Sequence, residues 1–404
     1  MKRFPDIARK PFFVFFCGMK NFKEKACLCA MNRIFGFEPK IGLEILTNLG
    51  SAEALFGLDR DSLDELMGPF SKYRNLIRTE AVDAEAQQLA RLANEGISFC
   101  GWTEDIYPEL LKECEDPPIG LYVRTSTPLN ELWKPCRRIA VVGTRDITPY
   151  GREWCERIVR SLSHTDARPT IVSGLALGTD ITAHRTALES GLPTIGVMAT
   201  GPEDVYPYRH KDFAKRLVAT PGCALITDYP PGTAPVALNF LRRNRIIAGL
   251  GEATVLIESK FKGGGMMTCR HAASYNREVY ALPGRADDAR SQGCNDLIRR
   301  KIAEPITSER ELIEGLGLTP LRKEAGTGFE ARLTATYGSS LSRERLAMMA
   351  TILRAIARNR GIVVDSLPNV TGICFRTVAE LTGILEIDGF ICIDMLRRCT
   401  IIYK

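Results

Sequence analysis

From Arg138 onward, short and uniformly apolar stretches alternate with longer amphipathic ones. The apolar stretches are Ile139–Val142, Thr170–Val172, Thr194–Met198, Ala224–Thr227, Val255–Ile257 and Val279–Leu282. Helical spacing fills the gaps, over about 150–163, 180–190, 211–218 and 239–250, and again after Gly263-Gly264-Gly265. Apolar strands separated by helices imply a parallel sheet covered on both faces. Right-handed crossovers place the loops after the strands on one edge, where open α/β sheets bind ligands. The pattern predicts an α/β protein whose extended Rossmann-like domain spans 96–315.

The flanks read differently. Short helical repeats over 27–95, with Gly50-Ser51 as a break and cap, predict a small SAM/helix-hairpin-helix-like domain over 1–95. Such repeats sometimes hold DNA backbone and more often serve as docking or dimer surfaces. Residues 96–136 form a proline-punctuated connector with a short strand at Ile97–Phe99. Residues 316–342, rich in Gly, Thr and Ser, read as a linker. In 343–404, helices over 343–358, 365–369 and 375–384 precede strands at 390–393 and 400–403, joined across Leu396-Arg397-Arg398. That is the winged-helix layout.

Lys2, Arg3 and the apolar Phe12–Phe16 faintly resemble a signal peptide, but the run is short and Lys20, Lys23 and Lys25 follow it. Whether residues 1–26 belong to the mature protein is left open. No stretch approaches the roughly 20 apolar residues of a membrane span. Thirteen scattered cysteines without a C-x-x-C, and only four histidines, argue against a zinc site or a disulfide framework. Reduced thiols in a cytoplasm fit better. A net charge of +6 permits an anionic partner without requiring one, so the placement of the cations decides.

The placement is concentrated. Gly143-Thr144-Arg145 ends the first strand of the series and combines a close backbone approach, a hydroxyl and a forked cation. Ser173-Gly174-Leu175-Ala176-Leu177-Gly178-Thr179-Asp180 is a strand-to-helix glycine loop that meets neither the dinucleotide nor the P-loop pattern. Asp180 reads equally as a cap, a core partner or a ligand contact. Arg242-Arg243-Asn244-Arg245 sits at a helix start, where three arginines this close cannot share one face. One or two therefore reach an anionic ligand and another anchors the helix. Lys262, Gly264 and Thr268 belong to a turn that can form a nest of N–H groups at the next helix start. Glu258 ends a strand near the glycines and is a candidate general base, but a structural partner for one of the arginines fits it better, and no catalytic or metal-ligating set stands out.

Together these motifs resemble the DNA-processing protein A family, DprA, also called Smf. Val142–Arg145, Ser173–Asp180, Tyr206-Pro207, Phe240–Leu250, Ala281–Gly284 and Ser291–Ile298 keep the family's order and spacing. Two departures stand out. Gly263-Gly264-Gly265 replaces the usual serine-containing turn, and Leu241 replaces the proline that commonly follows the phenylalanine. The resemblance implies a non-enzymatic, cofactor-free single-stranded DNA binding protein of natural transformation. Such proteins protect incoming strands, load the RecA recombinase and dimerise through the sheet domain. The implied phosphate-binding set is Gly143, Thr144, Arg145, Ser173, Gly174, Arg242, Arg243, Asn244, Arg245, Lys262, Gly264 and Thr268. Stacking aromatics are scarce in this reading, so phosphate contacts are expected to dominate. Two alternatives stay open: a lysine-decarboxylase-like phosphoribohydrolase, and a duplex-DNA regulator acting through the winged helix.

Overall fold

The computed structural model describes residues 12–134, 136–321, 329–338, 340–359 and 361–402. They divide into two compact units, Met1–Pro320 and Leu321–Lys404. The first is built on a nine-stranded sheet. Its strands are β1 (Ile97–Gly101), β2 (Gly120–Thr125), β3 (Arg138–Val142), β4 (Thr170–Ser173), β5 (Thr194–Val197), β6 (Ala224–Thr227), β7 (Ala253–Leu256), β8 (Glu278–Ala281) and β9 (Glu304–Pro305). Their order across the sheet is β1-β2-β6-β5-β4-β3-β7-β8-β9, and β3 to β9 run parallel.

Alternation along the strands builds the two layers. Ala140 and Val142 face one core, with the helices Ala237–Leu250 and Gly264–Ser274. Ile139 and Val141 face the other, with the helices Pro149–Ser163 and Thr179–Glu189. The order reverses direction between β3 and β7. This is the switch point at which neighbouring loops part and leave a crevice.

The connector reading of 96–136 needs correction. β1 and β2 form an antiparallel pair, and β2 joins the sheet edge antiparallel to β6. Leu121 and Val123 enter the sheet core, whereas Tyr122 enters the core of the N-terminal helices with Phe35 and Leu55. Proline punctuation hid a strand that is buried on both faces.

The linker reading also fails in part. Leu316 and Leu318 are buried in the sheet domain, and Phe329–Tyr337 is helical; residues 322–328 lie outside the described residues. In the second unit the helices Arg343–Arg358 and Phe375–Ile387 share one core with the hairpin strands Ile391–Ile393 and Cys399–Ile401.

Candidate functional site

A pocket of about 700 Å³ opens at the C-terminal ends of the parallel strands, at the switch point. Each wall is a segment that follows a strand: Gly143–Asp146 after β3, Ala176 and Asp180 after β4, Tyr206 after β5, the helical residues Phe240, Leu241, Arg243 and Asn244 after β6, and Ser259, Lys260, Lys262 to Gly265 and Thr268 after β7. The β3 and β7 loops meet closely because both carry glycine. A Cβ on Gly265 would lie 3.3 Å from the Gly143 Cα and 2.7 Å from Leu256. Gly178 has φ +73°, and a side chain there would strike the Thr144 carbonyl at 2.3 Å. That position suits glycine on both counts.

The three arginines separate as helical geometry requires, but only one reaches the pocket. Arg243 lies in its floor, 3% exposed, and donates from Nη1 to the Val197 carbonyl at 2.7 Å. Its Nε has no partner among the described residues. Arg245 turns away: it donates to the Asp116 carbonyl and pairs with buried Asp228 at 2.7 Å. Arg242 also leaves the site. It donates to the Gly36 and Phe37 carbonyls and stacks on the Phe37 ring at 4.3 Å. The expectation that Arg242 and Arg245 contact ligand in this pocket is therefore corrected: both anchor the helix, one to the N-terminal helices and one to the sheet edge.

Burial sets the electrostatics of the floor. It lowers the Arg243 guanidinium to about 10, against the opposing pull of Asp180. Burial pushes the Asp180 carboxyl above its ordinary range, and Arg243 offsets part of this. The Asp180 carboxylate also accepts the Ala176 N–H at 3.3 Å. It thus serves as a local cap and counter-charge while lining the pocket.

The rim supplies what the floor lacks. Arg145, Lys260 and Lys262 are exposed and line the mouth, and none forms an ion pair among the described residues. The nearby acid, Asp146, is held by Arg290 at 2.7 Å. The helix Gly264–Ser274 begins at Gly263 with no side-chain cap. Its first N–H groups, at Gly264 and Gly265, have no intrahelical partner and line the same space. Asn244 donates to the Gly264 carbonyl at 3.3 Å and ties this turn to the arginine helix. Thr144 and buried Thr268 line the pocket as expected, and Gly143 lies beside them.

Other expected site residues act from behind. Ser173 donates its hydroxyl to the Val141 carbonyl at 2.6 Å and is fully buried, so it is not a ligand contact. Gly174 lies outside the lining but makes room for Arg243: an added Cβ would sit 1.8 Å from Nη1. Among the described residues, Glu258 forms no ion pair with an arginine. It accepts from the Thr148 N–H at 2.9 Å and from the Thr148 hydroxyl, steadying the start of Pro149–Ser163. The aromatic content was underestimated. Tyr206 and Phe240 both line the pocket, edge to face at 5.3 Å, and Arg145 lies over the Phe240 ring at 5.0 Å. Lys260 was missed altogether, because a lone lysine in Glu258-Ser259-Lys260 carries no motif signal.

The start of the helix Ala52–Phe56 is occupied from within the protein. The Ala52 and Glu53 N–H groups are taken by the Glu24 carboxylate at 2.7 and 2.8 Å. No group of three or more His, Cys, Asp or Glu among the described residues could hold a metal ion. No described helix is long and apolar enough to cross a membrane.

Known proteins resemble this chain in sequence and fold. The family model for DNA recombination-mediator protein A matches residues 98–317. The chain is 37% identical over 215 residues to Protein Smf of Synechocystis sp., covering 53% of each chain, so it spans about half of that relative. It is 34% identical over 226 residues to DNA processing protein DprA of Streptococcus pneumoniae, covering 55% of this chain and 77% of that one. The X-ray structure of DNA processing protein A from Streptococcus pneumoniae aligns over 73% of this chain and 96% of its own, at 28% identity and a TM-score of 0.57. With a family model matching more than half its length, the chain belongs to the DNA processing protein A (DprA/Smf) family.

Proposed function

We propose that this protein binds single-stranded DNA along the C-terminal rim of its sheet, independently of sequence, and makes or breaks no bond in doing so. The observation that carries the reading is the convergence of Arg145, Lys260 and Lys262, free of ion pairs, on an uncapped helix start above buried Arg243. Cations that lack protein counter-charges release the counterions of a polyanion when they bind it. The Tyr206–Phe240 pair offers ring surface to a base. A duplex keeps its bases stacked inside, so this feature favours the single strand.

The role extends to protecting incoming strands in natural transformation, handing them to the RecA recombinase, and acting as a homodimer through the sheet domain. These steps come from the family resemblance. Twelve described cysteines, all free, agree with a cytoplasmic setting. Residues 343–404 are assigned as a winged-helix unit that serves protein contact rather than duplex grip. The hydrolase alternative loses its candidate base, because Glu258 is 2% exposed and spent on Thr148.

Fluorescence anisotropy with one labelled oligonucleotide, single-stranded and then annealed, tests the reading. Tighter binding of the single strand is expected. Equal or tighter duplex binding, or release of free base from a nucleoside monophosphate, overturns it.

A further inference from the structure

We propose that the start of the arginine helix is a second contact for the same strand: an apolar shelf that receives the bases next to the segment held in the pocket. The proposal rests on the single-stranded DNA reading above. Val236, Leu238 and Leu241 are 51%, 56% and 45% exposed, although each is a large aliphatic at the start of a helix otherwise buried from Arg243 to Leu250. Leu238 and Leu241 are three residues apart and share a face. Single exposed aliphatics need no explanation, whereas a contiguous group marks a contact surface.

Two observations identify the occupant. The shelf is continuous with the pocket, since Pro235, Ala237 and Leu241 line its wall. A strand gripped there must leave across the rim. The β7 side of that rim carries the lysines, and the β6 side is this apolar one. The charge also suits a polyanion: residues 235–242, which form the shelf, carry Arg242 and no Asp or Glu. Beyond the shelf lies Phe37, 53% exposed, with the Arg242 guanidinium on its ring. A stacked Arg–aromatic pair is a surface on which a further base can rest. Arg242, which has no place in the pocket, would act here. Leu241 contributes apolar surface at a position where the family commonly has proline.

The test uses the full chain and oligothymidylates of increasing length. In a Val236→Ser/Leu238→Ser variant, which leaves the pocket wall intact, binding of a dinucleotide, too short to span pocket and shelf, stays at the wild-type level. Binding of a twelve-nucleotide strand falls about tenfold, the order expected for losing contact with one or two bases. The salt slope stays unchanged, because no phosphate contact is removed. Wild-type affinity at every length overturns the shelf. So does a variant that turns a dimer into a monomer without loss of strand affinity, which gives this face to a second copy. An Arg145→Ala/Lys262→Ala variant in the same series separates the two claims. If it loses binding while the shelf variant does not, the shelf alone falls; if wild type binds no single strand, the underlying reading falls with it.

Discussion

Replacing Arg243 by alanine probes how the floor of the pocket is held. The guanidinium is buried, donates to the Val197 carbonyl at 2.7 Å, and opposes the charge of buried Asp180. Losing a charged donor to a buried carbonyl costs about 1–2 kcal/mol. Asp180 then loses its counter-charge and either stays ionised in a buried site or takes up a proton. Protonation from an ordinary carboxyl value near 4 against pH 7 costs about 4 kcal/mol, at 1.36 kcal/mol per pH unit, which caps that part. A loss of about 3–5 kcal/mol at pH 7 is expected.

The sign of its pH dependence follows. The folded-state pKa of Asp180 is raised, so the native state holds the extra proton and stability falls as pH rises through the window above the unfolded value. Without Arg243 that window extends further upward. The destabilisation in Arg243→Ala should therefore shrink at pH 5, by up to about 2.7 kcal/mol over two pH units. Urea denaturation at both pH values reads this. Adding Asp180→Asn should recover part of the loss, with a coupling of about 1–3 kcal/mol between the two sites. Equal destabilisation at pH 5 and pH 7, with no coupling, would refute the account of a mutually compensated pair.

Other outcomes follow from the same geometry. Arg245→Ala strands buried Asp228 and should cost about 3–5 kcal/mol, yet the folded variant should bind single-stranded DNA as wild type does; a binding loss greater than the loss of folded protein counts against the assignment. Gly174→Ala drives a methyl into the Arg243 guanidinium, 1.8 Å away on the native backbone, and should weaken strand binding at least tenfold in an anisotropy titration. Burial holds His184 at about 3, below its ordinary 6.5, so stability present at neutral pH is lost as pH falls from 6.5 toward 3. Wild type should lose about 2 kcal/mol between pH 7 and pH 5 that His184→Gln does not lose, measured by denaturation of both.

The sheet was legible because period and burial agree. Uniformly apolar strands such as Ile139–Val142 and Ala224–Thr227 allow one assignment, and loops that follow parallel strands share an edge by topology. Contact partners were less legible. Arg242 finds Phe37 some 205 positions earlier, and Glu258 finds Thr148 110 positions earlier; no local pattern encodes such distances. Arg245 was ambiguous because its partner Asp228 ends a strand whose orientation against the helix only packing decides. Tyr206 and Phe240 carry no local sign of a shared role, since their 5.3 Å ring contact joins segments after different strands. The pocket lining was most readable where glycine sits at a strand end or a helix start, at Gly143 and Gly264.

The central claim is that unpaired rim cations grip a phosphate backbone, and salt dependence tests it most directly. Single-stranded DNA affinity should be measured from low to moderate salt for wild type and for Arg145→Ala/Lys260→Ala/Lys262→Ala. Each lost phosphate contact should remove about 0.7 from the slope of log K against log salt, so the variant's slope should be shallower by about 2, with a weaker K at low salt. Parallel lines for the two proteins would contradict the account.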